Sequence, residues 1–273
     1  MTQATATGEF IDVAGLKTHY IHRGTGMPIV VIHGGSPGAC ALVNWGSNIE
    51  PLAAMGFSVY AYDQPGYGFT DIPDDHTFEY RVQHAKAFVA ALGLDRYHVM
   101  GNSAGSYIAA RIALEDPKVE KLVLASSGTL SPEGSEAAKE LSRVHAEAIS
   151  AYEPGLENMR KLSLGTIYHP ELVTDEFVKL RYEMSIGEHF EAAEARRKAG
   201  RPRPIFDELP NMKPKTMILW GMHDGGAAPE RGLLLLERMP GAELHVFSNS
   251  AHWVQRDEAD RFHEIVGGFL KRE

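Results

Sequence analysis

The sequence contains one cysteine, Cys40, in 273 residues, so no internal disulfide can staple the chain and its stability must come from a buried core. Nowhere does it approach the run of about 20 apolar residues that a membrane helix needs. Its opening residues, MTQATATGEF, have no basic stretch followed by an apolar one, so no targeting segment is expected. Positive charge is also scarce: 27 lysines and arginines stand against 36 acidic residues, a formal charge of -9, which argues against nucleic acid as the main partner. No G-x-G-x-x-G follows the first strand, and no cluster has metal-ligand spacing, so neither a cofactor nor a metal is expected. These absences leave the expectation of a soluble, cytoplasmic protein without a membrane partner that acts on a small molecule, with a homodimer as the default assembly.

What is present is an alternation of short β-branched runs with longer amphipathic ones, the pattern of strands joined by crossover helices in a mostly parallel sheet. Strands are expected at Leu16 to His22, Pro28 to Ile32, Ser58 to Tyr62, Tyr97 to Met100, Lys121 to Ala125, Thr216 to Trp220 and Glu243 to Phe247, with Glu9 to Val13 as an antiparallel edge. Apolar residues three or four apart predict helices at Phe78 to Leu92, Ala104 to Glu115, Glu230 to Met239 and Asp257 to Leu270. From about Ser131 to Pro210 no strand is expected. That stretch reads as helical, with segments at Glu133 to Tyr152, Gly155 to Leu164 and Asp175 to Lys198. The organisation is therefore a core of residues 1–130 and 211–273 with a helical lid, 131–210, inserted into it. A basic run in the lid, Arg196, Arg197, Lys198, Arg201 and Arg203, reads as a solvated face or as the lid's exit hinge.

The sharpest motif is Gly101-Asn102-Ser103-Ala104-Gly105, which follows the apolar strand YHVM and opens the apolar helix AGSYIAARIAL. Strand, sharp turn and helix are the context in which G-x-S-x-G makes a nucleophile elbow, and they point to the α/β-hydrolase fold, an eight-stranded sheet flanked by helices. The two glycines are needed because the chain reverses so tightly at the serine that side chains there would clash. A serine hydroxyl is a poor nucleophile at neutral pH, so it needs a base within reach and a carboxylate to orient that base.

In this fold the order along the chain is Ser, acid, His. Asp224 follows the strand TMILW, and His252 follows ELHVF. His252 is singled out among 13 histidines because it lies between the last strand and the final helix. His223 and His245 read as structural, and Asp63 in Asp-Gln-Pro-Gly-Tyr-Gly as a turn residue rather than a second acid. After PIVVI comes His33-Gly34-Gly35-Ser36-Pro37-Gly38, a loop whose backbone can complete an oxyanion hole. Gly35 and Ala104 are the candidate donors, and His33 an anchor for the loop.

On these residues the sequence resembles the meta-cleavage product hydrolases, carbon-carbon bond hydrolases of bacterial aromatic-ring degradation. The glycine loop with Asn44, the elbow Gly-Asn-Ser-Ala-Gly and the segment LHVFSNSAHWVQ carry the likeness, and the Asn-Ser and His-Trp pairs are its specific parts. The resemblance implies that Asn44 and Asn102 help to hold the dienoate, that Trp253 packs beside it, and that Arg181, in Lys179-Leu180-Arg181-Tyr182 of the lid, binds its carboxylate or enolate. A guanidinium suits that task because its planar fork pairs bidentately and stays charged. Three positions depart from the family pattern: Ala104 stands where methionine is usual, and Ser106 and Ser36 where glycine is usual.

The implied activity is hydrolysis of 2-hydroxy-6-oxo-hexa-2,4-dienoates, with ketonisation of the dienol first and attack by Ser103 or by water second. A carboxylesterase or a proline iminopeptidase-like hydrolase is the alternative, since His-Gly-Gly-x-Pro-Gly also resembles a peptidase loop. A non-catalytic ligand-binding member of the fold is a third reading, opposed by the complete Ser, Asp and His set.

Overall fold

A computed structural model describes residues 8–272; residues 1–7, expected to carry no targeting segment, lie outside them. Strands β1 (Glu9–Val13), β2 (Leu16–Arg23), β3 (Met27–Ile32), β4 (Phe57–Tyr62), β5 (Tyr97–Asn102), β6 (Val119–Ala125), β7 (Lys215–Gly221) and β8 (Glu243–Phe247) build one sheet. Their spatial order is β1-β2-β4-β3-β5-β6-β7-β8. From β4 to β8 every pairing is parallel, while β1 and β2 pair antiparallel at one edge. The central strands are apolar without alternation, as strands covered on both faces must be: Ile29, Val30, Val31 and Ile32 of β3 are all buried, and so are Leu122 to Ala125 of β6.

The helices α1 (Ala41–Ala54), α2 (Phe78–Ala91), α3 (Ala104–Glu115), α8 (Glu230–Arg238), α9 (Val254–Asp257) and α10 (Ala259–Lys271) cover the sheet. Two apolar clusters result. On one face Val82, Phe88, Ile108 and Ile112 pack against Val30, Val99 and Leu122; on the other Trp45, Ile49, Phe262 and Val266 pack against Ile29, Val31 and Val123. Helix α1 was not expected. Asn44, Gly46, Ser47, Asn48 and Pro51 all lower its intrinsic propensity, and the burial of Val43, Trp45, Ile49 and Leu52 outweighs that. The final helix, expected to run unbroken from Asp257, is divided at Glu258, where the backbone leaves the helical region.

Between β6 and β7 there is no strand. The chain instead forms α4 (Glu136–Ser150), α5 (Leu156–Leu164), α6 (Asp175–Glu183) and α7 (Glu188–Ala199). The helix expected over Asp175 to Lys198 is two, parted at Gly187, whose φ of 58° lies in the left-handed region that glycine reaches without strain. Met159, Ile167, Phe177 and Val178 of this insertion form a third apolar cluster with Val43 and Trp253 of the core. No helix among the described residues is long and apolar enough to cross a membrane.

Candidate active site

Strand β3 lies between β4 and β5, so the chain leaves it in one direction and later returns on its other side. A parallel sheet opens a crevice at the carboxyl ends of the strands where the order reverses in this way. Two loops meet there: the glycine loop after β3 and the elbow after β5.

Ser103 has φ 53° and ψ −122°, a strained conformation for a residue with a side chain, and its N–H donates to Ala125 O at 2.8 Å. The glycines that permit the turn have no alternative. A Cβ on Gly101 would lie 2.3 Å from Gly105 O, and one on Gly105 would lie 2.3 Å from Ile32 O. Ala104 opens α3, so its N–H is a first-turn donor with no intrahelical partner. A Cβ on Gly35 would stand 3.2 Å from the Ala104 Cβ, and one on Gly34 would stand 3.3 Å from the Ser103 Cβ. The glycine loop thus presses directly against the elbow.

His252 and Asp224 come together from the loops after β8 and β7. The His252 Nδ1 donates to Asp224 Oδ2 at 2.9 Å, and Asp224 Oδ1 accepts from the N–H groups of Gly226 at 2.8 Å and Ala227 at 2.9 Å. With Nδ1 so engaged, Nε2 is the atom left to accept a proton. Burial pushes the His252 pKa down, but the charge of Asp224 and its hydrogen bond push it up and win, leaving it above the ordinary 6.5, with Arg181 opposing weakly. Ser103 and His252 line the same cavity, of about 980 Å³.

Gly35, Asn44, Asn102, Ala104 and Trp253 line it too. Asn44 Nδ2 donates to Asn102 Oδ1 at 3.3 Å, and Asn102 Nδ2 donates to the His252 carbonyl at 3.4 Å, so the two asparagines tie the glycine-loop side to the histidine loop. Trp253 is buried edge-on to Phe177, with ring centroids 5.9 Å apart. Arg181, on α6, is fully buried and stands behind the cavity wall. It donates to Pro37 O at 3.1 Å, Ser163 Oγ at 2.9 Å and Ser36 Oγ at 3.0 Å, and its guanidinium lies 5.0 Å from the Trp253 ring. Burial pushes its pKa down to about 10, and no carboxylate pairs with it among the described residues.

The residues read as structural serve as scaffold. His33 is buried, hydrogen-bonds Gly34 O at 2.7 Å and accepts from the Gln64 N–H at 3.0 Å; burial pushes its pKa down to about 4. Asp63 accepts from the Ala41 N–H at 2.6 Å and pairs with His19 at 2.8 Å, so it anchors the start of α1. His223 stacks on Tyr168, and His245 lies within β8. Of the three unusual positions only two reach the cavity. Ala104 and Ser36 line it, whereas Ser106 is buried beneath the elbow, donating to Gly101 O at 2.7 Å.

Other contributors carried no signal in the sequence. His145 of α4 lines the cavity with its ring 5.8 Å from that of His252, and burial pushes its pKa down to about 4. Asp257 accepts from the N–H groups of Tyr168 and Ala251, at 2.9 and 2.8 Å, and so ties the insertion to the histidine loop.

Residues 28–259 match the family described as alpha/beta hydrolase fold. Over 99% of its length the chain is 32% identical to a 2-hydroxy-6-oxononadienedioate/2-hydroxy-6-oxononatrienedioate hydrolase of Dechloromonas aromatica (strain RCB), covering 97% of that protein. It is 31% identical to a 2-hydroxy-6-oxo-6-phenylhexa-2,4-dienoate hydrolase of Burkholderia cepacia, with 97% of each chain covered. Among solved structures, a meta-cleavage product hydrolase from Pseudomonas fluorescens IP01 superposes with a TM-score of 0.87 at 31% identity, over 97% of this chain and 98% of that one.

Proposed function

The chain belongs to the α/β-hydrolase fold family and, within it, to the meta-cleavage product hydrolases, and from that premise we propose that it hydrolyses the C5–C6 bond of a 2-hydroxy-6-oxohexa-2,4-dienoate. One observation carries the reading beyond ester chemistry. The cavity lined by Ser103 and His252 is lined also by Asn44, Asn102 and Trp253, with the buried cation Arg181 behind it. An ester needs only a triad and oxyanion donors, whereas a dienoate must have its carboxylate and its oxygen on C2 held while protons move.

In this reading residues 131–210 are a lid on a core of residues 1–130 and 211–273. In support, the cavity is lined by Ser142, His145, Met184 and Phe190 of that stretch together with Ser103 and His252. Arg181 supplies the positive charge that draws the dienoate carboxylate, acting with the Ser36 hydroxyl it already holds. Asn44 and Asn102 offer amide groups to the substrate oxygens, and Trp253 flanks the flat diene.

The reaction begins with transfer of the 2-hydroxyl proton to C5, as the double bonds shift and C2 becomes a ketone. C5 can then leave, because its electron pair is taken up through C3 and C4 by the C2 carbonyl. Attack on C6, by Ser103 Oγ or by a water that Ser103 and His252 activate, puts negative charge on the C6 oxygen, and the N–H groups of Gly35 and Ala104 stabilise it. One such donor is worth about 3 kcal/mol. His252 takes the proton of the nucleophile and Asp224 holds the resulting imidazolium. The bond from C5 to C6 breaks, and one water is consumed to give a carboxylic acid from C6 and 2-hydroxypenta-2,4-dienoate.

The test is stopped-flow absorbance with coloured dienoates. The wild type is expected to bleach them; Ser103→Ala is expected to lose about 10³-fold or more in kcat while still binding, and Arg181→Ala to raise KM at least tenfold. Bleaching of no dienoate by an enzyme that turns over simple esters would overturn the reading.

A further inference from the structure

Whether or not Ser103 attacks first, a water must reach C6, and Ser103, His252 and the oxyanion donors give that water one anchor. His252 can take one of its hydrogens, but none of these groups accepts the other. A water held by a single bond turns freely and aims its lone pair at C6 only part of the time. A second imidazole stands where the missing acceptor is needed. His145, on α4, lines the cavity of Ser103 and His252, and its ring centroid lies 5.8 Å from that of His252, with the planes at 49°.

The ring of His145 is seated against the loop that carries Asp224. A Cβ on Gly226 would lie 2.8 Å from its Nε2, 2.9 Å from its Cδ2 and 3.1 Å from its Cε1, so the imidazole fills the space that the side chain of Gly226 leaves open. Gly226 donates its N–H to Asp224 Oδ1 at 2.8 Å, and Ser142, one turn before His145, donates to Gly226 O at 3.5 Å. The position of His145 is thereby tied to the acid that orients His252. Neither ring nitrogen of His145 has a hydrogen-bond partner among the described residues, although the residue is half-buried. A polar group so placed gains when a polar molecule fills the space beside it. Two hydrogen bonds of about 2.9 Å to one water oxygen join nitrogens about 4.5–5 Å apart, a separation that rings with centroids at 5.8 Å allow. Burial keeps His145 neutral, with its pKa down at about 4, so one nitrogen stays free to accept.

We propose that His145 holds the attacking water: its unprotonated ring nitrogen accepts one hydrogen of the water while His252 Nε2 takes the other. The water oxygen bonds to C6. The hydrogen taken by His252 passes to the leaving group, Ser103 Oγ from an acyl-enzyme or the C5 fragment from the ketone. The hydrogen facing His145 stays on the oxygen and leaves as the hydroxyl of the released acid. The proposal rests on the hydrolase reading above, of which it needs only Ser103 and His252, so it applies to an ester as to a dienoate.

The experiment follows p-nitrophenyl acetate and a coloured 6-methyl dienoate through rapid mixing with the wild type, His145→Leu and His145→Gln. With the ester, the first nitrophenolate reports acylation of Ser103, and later turnovers wait for water. His145→Leu is expected to keep the acylation rate and to slow steady turnover at least tenfold, so that a burst of nitrophenolate appears whose amplitude counts the folded sites. With the dienoate, loss of the dienol absorbance precedes the water step and should keep its rate, while release of the acid slows at least tenfold. His145→Gln, which retains an acceptor oxygen, should recover part of the lost turnover. Early and late phases that fall together, phases that are both unchanged, or a glutamine variant no better than the leucine one overturns the proposal alone. If the wild type hydrolyses the ester with this split in the variants but turns over no dienoate, the dienoate reading falls and the role of His145 stands. If the wild type hydrolyses neither, both fall.

Discussion

The chemistry of single residues here is set by what each is denied. Ser103 is denied a relaxed backbone and His252 is denied water, and the latter governs how activity depends on pH. A base works unprotonated, so kcat/KM is expected to be low in acid and to rise through an inflection above 6.5, because Asp224 raises the His252 pKa against the effect of burial. In Asp224→Asn the two raising causes disappear, leaving burial and Arg181, and the inflection should move below 6.5 while activity falls about 10⁴-fold. A pH–rate profile of both proteins checks this; an unmoved inflection would mean that another group titrates. Gly101 makes a purely steric case. An alanine there puts its Cβ 2.3 Å from a backbone oxygen that cannot swing away, so Gly101→Ala is expected to cost about 3 kcal/mol of stability, read from urea melts, besides its effect on the elbow.

Among the elements, the inserted helices differ in how firmly they are held. Helix α6 buries Phe177, Val178 and Arg181 against the core, whereas α4 buries only Ala138 and leaves Leu141 and Val144 exposed. The insertion also fastens the loop that carries His252. The His252 N–H donates to Thr166 O at 3.1 Å, and Asp257 accepts from Tyr168 on one side and from Ala251 and Ser250 on the other. Asp257→Ala leaves these donors without their acceptor and is expected to cost about 2–4 kcal/mol and to lower kcat, since the loop it frees carries His252. Asp257→Asn keeps one acceptor oxygen and should fall between. A drop in melting temperature with kcat unchanged would show that the tie is merely structural.

For the whole molecule the histidines decide behaviour in mild acid. Burial is the leading cause that pushes the pKa values of His33, His84, His98 and His145 down to about 4 from the ordinary 6.5. Between those values the unfolded chain takes up protons that the folded chain refuses. The stability they contribute is therefore full above 6.5 and is lost as the pH falls toward 4. His252 works in the opposite sense, since its raised pKa favours the folded state as the pH falls, but it stands against these four and against His76, His189 and His263, which burial also lowers. Melting temperature should decline steadily from pH 7 to pH 5, a window above the ordinary carboxylate range. His98→Gln should make that decline shallower, and a flat profile would sink the account.

Much of this was legible in the chain because its signals are local. The strands are apolar runs that announce burial on both faces, and the elbow is five consecutive residues whose glycines admit one conformation. Asp224 and His252 each follow a strand at the sheet's carboxyl edge. Other features depend on neighbours distant in sequence. Helix α1 forms against its own propensities because the core covers it. The sequence does not show that Arg181 lies under Ser36 and Pro37, a contact between residues far apart in the chain. Arg81 looks in the sequence like any arginine on a helix, and Arg196 like one of a solvated run. Only the packed structure shows that neither pairs with a carboxylate among the described residues and that both line the cavity of Ser103. Sequence alone determined the fold and singled out the candidate groups Ser103, Asp224 and His252, because backbone geometry and strand order follow from short patterns; tertiary structure decided which charges are left uncompensated, because that depends on every group packed around them.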